Sequence, residues 1–206
     1  MKKILGFMVL MVLLSNVVFA DGFTIQGQFG LGGGATKIDD IDISSLFPGV
    51  DEVAIHFGVK AGYGPFGKIP LYVVLNLSGI GYRLYDSYNY LQFNSYMVGP
   101  GVLFYPHPIV QLGLSMGPSW ISNKNDLGIV FFGNDGPGFA IDISAVLDIG
   151  YFWRSTIAKN FGLLVGFDYF SATNTLENSG VKEVSNAFTF TTALSYRHPP
   201  RSLFGK

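Results

Sequence analysis

The stretch FAIDISAVLDIGY, residues 139–151, sets two carboxylates, Asp142 and Asp148, inside one of the most apolar runs of the chain. Neighbouring carboxylates do acid–base chemistry when their surroundings push their proton affinities apart. Residues 142 and 148 are six positions apart, about 20 Å along a strand, against the roughly 5–9.5 Å of glycosidase pairs. That pair fails on distance. Asp142 and Asp168 could approach from neighbouring strands with His56 across from them, which leaves acid–base work as a minor reading beside a network of buried ion pairs.

Other matches to chemical motifs are weaker. GLGGGA at 30–35 fits a dinucleotide-binding pattern with Ala last, but it lies in an alternating strand with no helix to follow it. DIDISS at 40–45, with Asp51, offers oxygens at positions one, three, five and twelve of a calcium loop. Ser45 takes the place of the required Gly, and Asp51 that of the usual Glu. A solvated acidic loop is expected there. His56, His107 and His198 fall on strand, turn and tail, and there is no cysteine, so neither a metal site nor a cofactor is implied.

The elements that position these residues show first in the composition. Of 206 residues, 49% are hydrophobic, 16% aromatic and only 13% charged, with 27 glycines. A soluble domain carries about twice that charge. A formal net charge of −1 leaves no basic footprint for nucleic acid. MKKILGFMVLMVLLSNVVFA, residues 1–20, has two lysines, an apolar run and a small-residue cleavage site, the pattern of a secretory signal peptide. Ser15 and Asn16 interrupt it before it reaches the ~20 residues of a spanning helix.

Beyond residue 20 the apolar residues recur with period two, the mark of strands with one apolar face. Eight such segments lie near 22–36, 52–63, 70–85, 93–105, 108–120, 138–152, 160–172 and 185–197. Long connections (37–51, 86–92, 121–137, 173–184) alternate with short ones, as in an up-and-down meander. Aromatics cluster at strand ends. Tyr63, Phe104, Tyr105, Tyr151 and Phe152 mark the short-turn end; Tyr82, Tyr85, Tyr96, Trp120 and Tyr169 mark the other. Two interfacial girdles are expected of a membrane barrel. Such a sheet must close, because lipid satisfies no edge N–H or C=O.

In these features, over residues 21–197, the chain resembles the small eight-stranded outer-membrane barrels of the OmpA, OmpX and OmpW type. The resemblance is one of architecture. It implies an all-β, eight-stranded antiparallel up-and-down transmembrane β-barrel after a signal peptide, with 198–206 as a periplasmic tail. Outer-membrane lipid would be its partner, and the secretion and barrel-assembly machineries would act during biogenesis. The long loops would face outward, open to an extracellular partner. Barrels of this type often end on an aromatic residue; here FTFTTALSY ends on Tyr196 and RHPPRSLFGK follows. Some eight-stranded barrels are lipid A acylases or deacylases, but no matching local signature is present.

The two strand faces separate this reading from a lipocalin-like barrel with an apolar interior. The second segment sets Val53, Ile55, Phe57 and Val59 against Glu52, His56, Gly58 and Lys60; the fifth sets Leu112, Leu114 and Met116 against Gln111, Gly113 and Ser115. Small polar sets fit a narrow lumen better than a watery exterior, which would carry many Lys and Glu. Asp142, Asp148, Asp168, His56 and Lys60 are then expected to form a lumen ion-pair network, with Asp148 paired to Lys60. Leu71 to Leu77 place odd positions outward, while Ile80, Tyr82 and Leu84 suggest even ones. A β-bulge near Ser78–Gly81 would turn Arg83 into that network; the alternative is an outward Arg83 in the headgroup layer. In the longest loop, Leu127, Ile129, Val130, Phe131 and Phe132 make either a paired hairpin extension or an exposed contact patch. A structural or surface-interaction role comes first, and a narrow channel for small or hydrophobic molecules second.

Overall fold

The computed structural model describes residues 22–66, 69–86, 90–122, 124–125, 138–153, 160–175 and 180–198. The expected leader 1–20, the apolar run 127–132 and residues 199–206 of the expected tail lie outside the described residues. The strands are β1 (Phe23–Ile38), β2 (Ile41–Asp42), β3 (Asp51–Tyr63), β4 (Leu71–Tyr85), β5 (Tyr90–His107), β6 (Val110–Ile121), β7 (Lys124–Asn125), β8 (Gly138–Asp148), β9 (Phe161–Thr175) and β10 (Lys182–His198). Two short 3-10 turns, Ser44–Leu46 and Ile149–Trp153, complete the set.

Apart from the two-residue strands β2 and β7, each strand pairs antiparallel with the next long one. β10 then returns to β1, from Phe23↔His198 to Ile38↔Glu183. The eight long strands therefore close an up-and-down barrel, as the alternation predicts. Closure removes the unpaired edge that an open sheet would present.

The connections 64–70, 108–109 and 149–160 lie at one end, and 39–50, 86–89, 122–137 and 176–181 at the other. The alternation of long and short fails twice. β5 starts at Tyr90, earlier than its apolar pattern suggests, so the connection after β4 shrinks to 86–89, and β9 and β10 reach Thr175 and Lys182, so 176–181 is shorter than 149–160. The first begins as a hairpin: Asp39 and Asp40 have φ of 51° and 66°, the left-handed pair of a type I′ turn.

Alternation also assigns the faces. In β1, Ile25, Phe29 and Leu31 are about half exposed on the outside, while Thr24 and Gln26 are buried inside. β3, β6, β8 and β10 repeat the pattern, with Leu112, Ile143, Leu147, Phe190 and Leu194 outward. Glycine makes room where strands crowd the lumen. A Cβ on Gly32 would collide with the carbonyl of Phe188, and one on Gly30 with the hydroxyls of Thr189 and Thr191.

β4 departs from the expectation. Its registers with β3 and β5 run unbroken from Tyr63↔Val73 to Asp51↔Tyr85 and from Leu71↔Phe104 to Tyr85↔Tyr90. There is no bulge at Ser78–Gly81, and Ile80, Tyr82 and Leu84 point inward. The cause is an apolar plug in the half of the lumen toward the 39–50 connection, where they meet Ala54, Phe93, Met97, Phe170 and Ala172. On the outside, the Tyr96 ring lies over Gly79, at 2.8 Å from where a Cβ would stand. Tyr82 and Tyr105, expected in the girdles, are likewise wholly buried inside.

The plug fixes the phase of β4, and truncation tests it. Ile80→Ala is expected to cost about 2–5 kcal/mol, because it opens a cavity among packed side chains. Leu77→Ala, which removes a half-exposed outward side chain, should cost clearly less. Urea titration of refolded protein compares the two, and the reverse order would restore the bulge.

Candidate functional site

Inward positions of six strands bring the polar side chains together in the middle of the lumen. β3 supplies His56 and Lys60, β4 Asn76 and Ser78, β8 Asp142 and Ser144, and β9 Asp168. β10 adds Thr189 and Thr191, and β1 adds Gln28. All of these side chains are buried.

Asp142 is the hub. Its Oδ1 lies 3.6 Å from Lys60 Nζ, and its Oδ2 accepts a 2.8 Å hydrogen bond from Asn76 Nδ2. Lys60 Nζ also donates to Ser144 Oγ at 3.3 Å. His56 stands between the carboxylates, Nε2 at 3.8 Å from Asp142 Oδ2 and Nδ1 at 3.9 Å from Asp168 Oδ2. Both separations exceed a direct hydrogen bond, and the Phe170 ring packs beside the imidazole with its centre 6.0 Å away.

A second cluster closes the lumen toward the short-turn end. Arg197 Nη2 donates to Asp148 Oδ2 at 2.6 Å, and its guanidinium carbon lies 4.8 Å from the centre of the Tyr105 ring. Gln111 Nε2 donates to Tyr105 OH at 3.0 Å and to Gln26 Oε1 at 2.8 Å. Gln26 on β1 and Gln111 on β6 reach across the barrel, just as Lys60 and Asp142 do from β3 and β8.

His56, Lys60, Asp142, Asp148 and Asp168 all lie on the inward face, but their pairing differs from the expected one. Lys60 pairs with Asp142, and Asp148 pairs with Arg197. The six-residue spacing of Asp142 and Asp148 separates them far enough to serve two clusters. Arg83 belongs to neither. It points outward, with Nε and Nη2 donating to Gln92 Oε1 at 3.1 and 2.6 Å.

Arg197, Gln26 and Asn76 were not expected in the lumen network, Gln111 was placed inward without a partner, and Tyr105 was placed in a girdle. For Arg197 a signal existed: it continues the inward series Thr189, Thr191, Ala193, Ser195 of β10, yet it reads as the first residue of a basic tail. The Gln26–Gln111 contact is visible only once the ring is closed.

The two motif matches resolve into structure. Gly30 and Gly34 face the lumen wall. Asp42 Oδ1 accepts from Ser44 N at 3.0 Å and from Ser44 Oγ at 2.8 Å, bending the loop so that Ile43 enters the apolar plug. Among the described residues no group of three His, Cys, Asp or Glu is placed to hold a metal.

No protein-family model and no curated protein matches this chain. Among solved structures it is similar to Ail, the attachment invasion locus protein of Yersinia pestis, in complex with a heparin analogue, sucrose octasulfate. Identity is 17% over 85% of this chain and 98% of that one, with a TM-score of 0.49. It is also similar to Neisserial surface protein A, at 12% identity over 84% of this chain and 96% of that one, TM-score 0.47. A third is the outer membrane protein OprG from Pseudomonas aeruginosa, at 11% identity over 91% and 97%, TM-score 0.40. The likeness is one of architecture.

The corrected pairing has a measurable consequence. Asp148→Asn strands Arg197 and should cost about 3–5 kcal/mol. Adding Arg197→Met should recover much of that loss, whereas adding Lys60→Met should deepen it by stranding Asp142. Urea unfolding of the three variants in lipid vesicles measures this. Recovery by Lys60→Met instead would reinstate the Asp148–Lys60 pair.

Proposed function

We propose that the protein is an integral β-barrel of a bacterial outer membrane. Its role is structural or in surface interaction through the connections at its long-loop end. One observation carries this reading: the apolar set lies outside and the charges inside. Phe29, Leu31, Leu75, Leu147 and Leu194 are exposed on a closed barrel whose fully buried groups include Lys60, Asp142 and His56. Water would drive the opposite arrangement, and lipid favours this one. A membrane helix is not needed for it.

The filled lumen supports a non-conducting role. Ion pairs brace its middle and lower parts, and the plug with Ile43 occupies its outer part. An enzymatic reading has less support, because His56 is wholly buried and reaches neither carboxylate at hydrogen-bond distance.

A second reading, a narrow path for small hydrophobic molecules, is favoured at one seam. The β5–β6 register runs from Ser95↔Ile121 to Met97↔Ser119 and resumes only at Gly101↔Ser115. Pro100 and Pro118 stand in the gap and have no N–H to give a ladder. Inward Gly99 and Gly117 pack backbone to backbone there. This would offer lateral access between lumen and lipid.

Refolded protein should migrate differently on a gel before and after boiling, since a closed barrel resists detergent. In a planar bilayer it should show no steady single-channel current. A cysteine at Ser45 should react with an impermeant reagent on intact cells, and one at Pro108 should not. Identical migration would remove the barrel, steady conductance would favour the channel, and labelling at 108 alone would invert the orientation.

A further inference from the structure

The outward face above the aromatic belt carries a polar row that neither the lumen nor the fold requires. Arg83 of β4 pairs in register with Gln92 of β5, and Gln92 with Lys124 of β7. Three strands thus share one row, and Arg83 is the cation whose side chain is fixed there.

The Arg83 end is built rather than loose. Its Nε and Nη2 donate to Gln92 Oε1. Gln92 Nε2 donates to Asn94 Oδ1 at 2.6 Å, and Asn94 Nδ2 donates to the Ser122 carbonyl at 2.6 Å. The guanidinium carbon sits 4.6 Å from the centre of the Tyr90 ring. This chain of amides fixes one edge of the guanidinium and leaves Nη1 and its partner edge free to donate. Arg83 is exposed, and among the described residues it forms no ion pair.

Depth identifies what meets that edge. Below the row, toward the short-turn end, lie Tyr96 stacked on Trp120 at 5.9 Å and Phe57 at 6.0 Å from Tyr96, all facing outward. Such rings mark the interface between hydrocarbon and headgroups. One layer above it, an outward guanidinium faces headgroups, and a planar fork matches a phosphate oxygen pair.

We infer that Arg83, held by Gln92 and Tyr90, binds the phosphate of an outer-leaflet lipid headgroup. The inference rests on the outer-membrane reading and its orientation. It gives the barrel a lipid of preferred chemistry on the β4–β5 face.

The mature protein is refolded into phosphatidylcholine vesicles containing either bisphosphorylated lipid A or the same lipid after enzymatic dephosphorylation. Urea unfolding rates are compared. The phosphorylated lipid should slow unfolding by about fivefold. Arg83→Gln should lose most of that difference, and Arg83→Lys should keep a fraction because the fork is lost. Arg83→Lys also serves if Arg83→Gln does not refold. Equal rates in the two vesicle types, or an undiminished difference in the Arg83 variants, overturns the inference. So does full reproduction of the effect by inorganic phosphate in neutral vesicles, which would mark a soluble-anion site. Loss of heat-modifiable migration in every vesicle would instead mean that the barrel reading itself has failed.

Discussion

Every polar backbone group of the long strands depends on the pairing of β10 with β1. Without that ladder, from Phe23↔His198 to Ile38↔Glu183, two strands would present free N–H and C=O groups along their length. In hydrocarbon each such group costs several kcal/mol, so closure is the condition for all else. Once the ring is shut, pleating alone divides the side chains, and a residue's parity decides whether it meets lipid or lumen. At mid-height, ionisable groups can then be kept only on the lumen-facing parity. Asp142, Asp148, Asp168, Lys60 and His56 all obey it.

The lumen braces work across that ring. Lys60–Asp142 spans β3 to β8, and Gln111–Gln26 spans β6 to β1, each joining walls four strands apart in the ring order. Neither contact exists until the sheet has curled, so these polar pairs are rewards of closure rather than of any single hairpin. The Asp148–Arg197 pair lies near the end of the last strand and holds β10 against β8 across β9. Buried charges with partners of this kind favour one closed register, because a slip of one residue would turn the charges toward lipid.

How much of this could be read in advance follows from where parity is unambiguous. In β3, β6, β8 and β10 the apolar residues occupy one parity, so their faces and the inward His56, Lys60, Asp142 and Asp148 were legible. β4 was not, because Ile80, Tyr82 and Leu84 are as apolar as the outward Leu75 and Leu77. Hydropathy cannot separate lipid from an apolar plug; only the unbroken register with β3 and β5 does. The same ambiguity placed Tyr82 and Tyr105 in girdles when one hydrogen-bonds Glu52 and the other packs under Arg197. Partners were least legible of all. Sequence gives height along a strand, but the tilt of the barrel decides which heights meet across it. Asp148 and Lys60 share a half of the barrel, yet the nearer cation came from β10.

The lumen's two fillings explain how so narrow a barrel tolerates its buried charges. Lys60, Asp142, His56 and Asp168 lie in the middle, with an apolar plug toward the long-loop mouth and the Arg197–Asp148–Tyr105 cluster toward the other. Each filling limits access of bulk water to the charges between them, which strengthens their mutual attraction while raising the cost of losing any one. Ile43 ties this to the surface. It enters the plug from the first outer loop, pulled in by a backbone bond to Thr36 and by the turn that Asp42 makes with Ser44. A change in that loop therefore bears on the packing over His56 and Asp142, whereas the outward Arg83 row lies on the other face of the same strands and varies independently of it. One sheet thus carries two separable chemistries, a braced interior and a headgroup-level exterior, divided by the alternation of its residues.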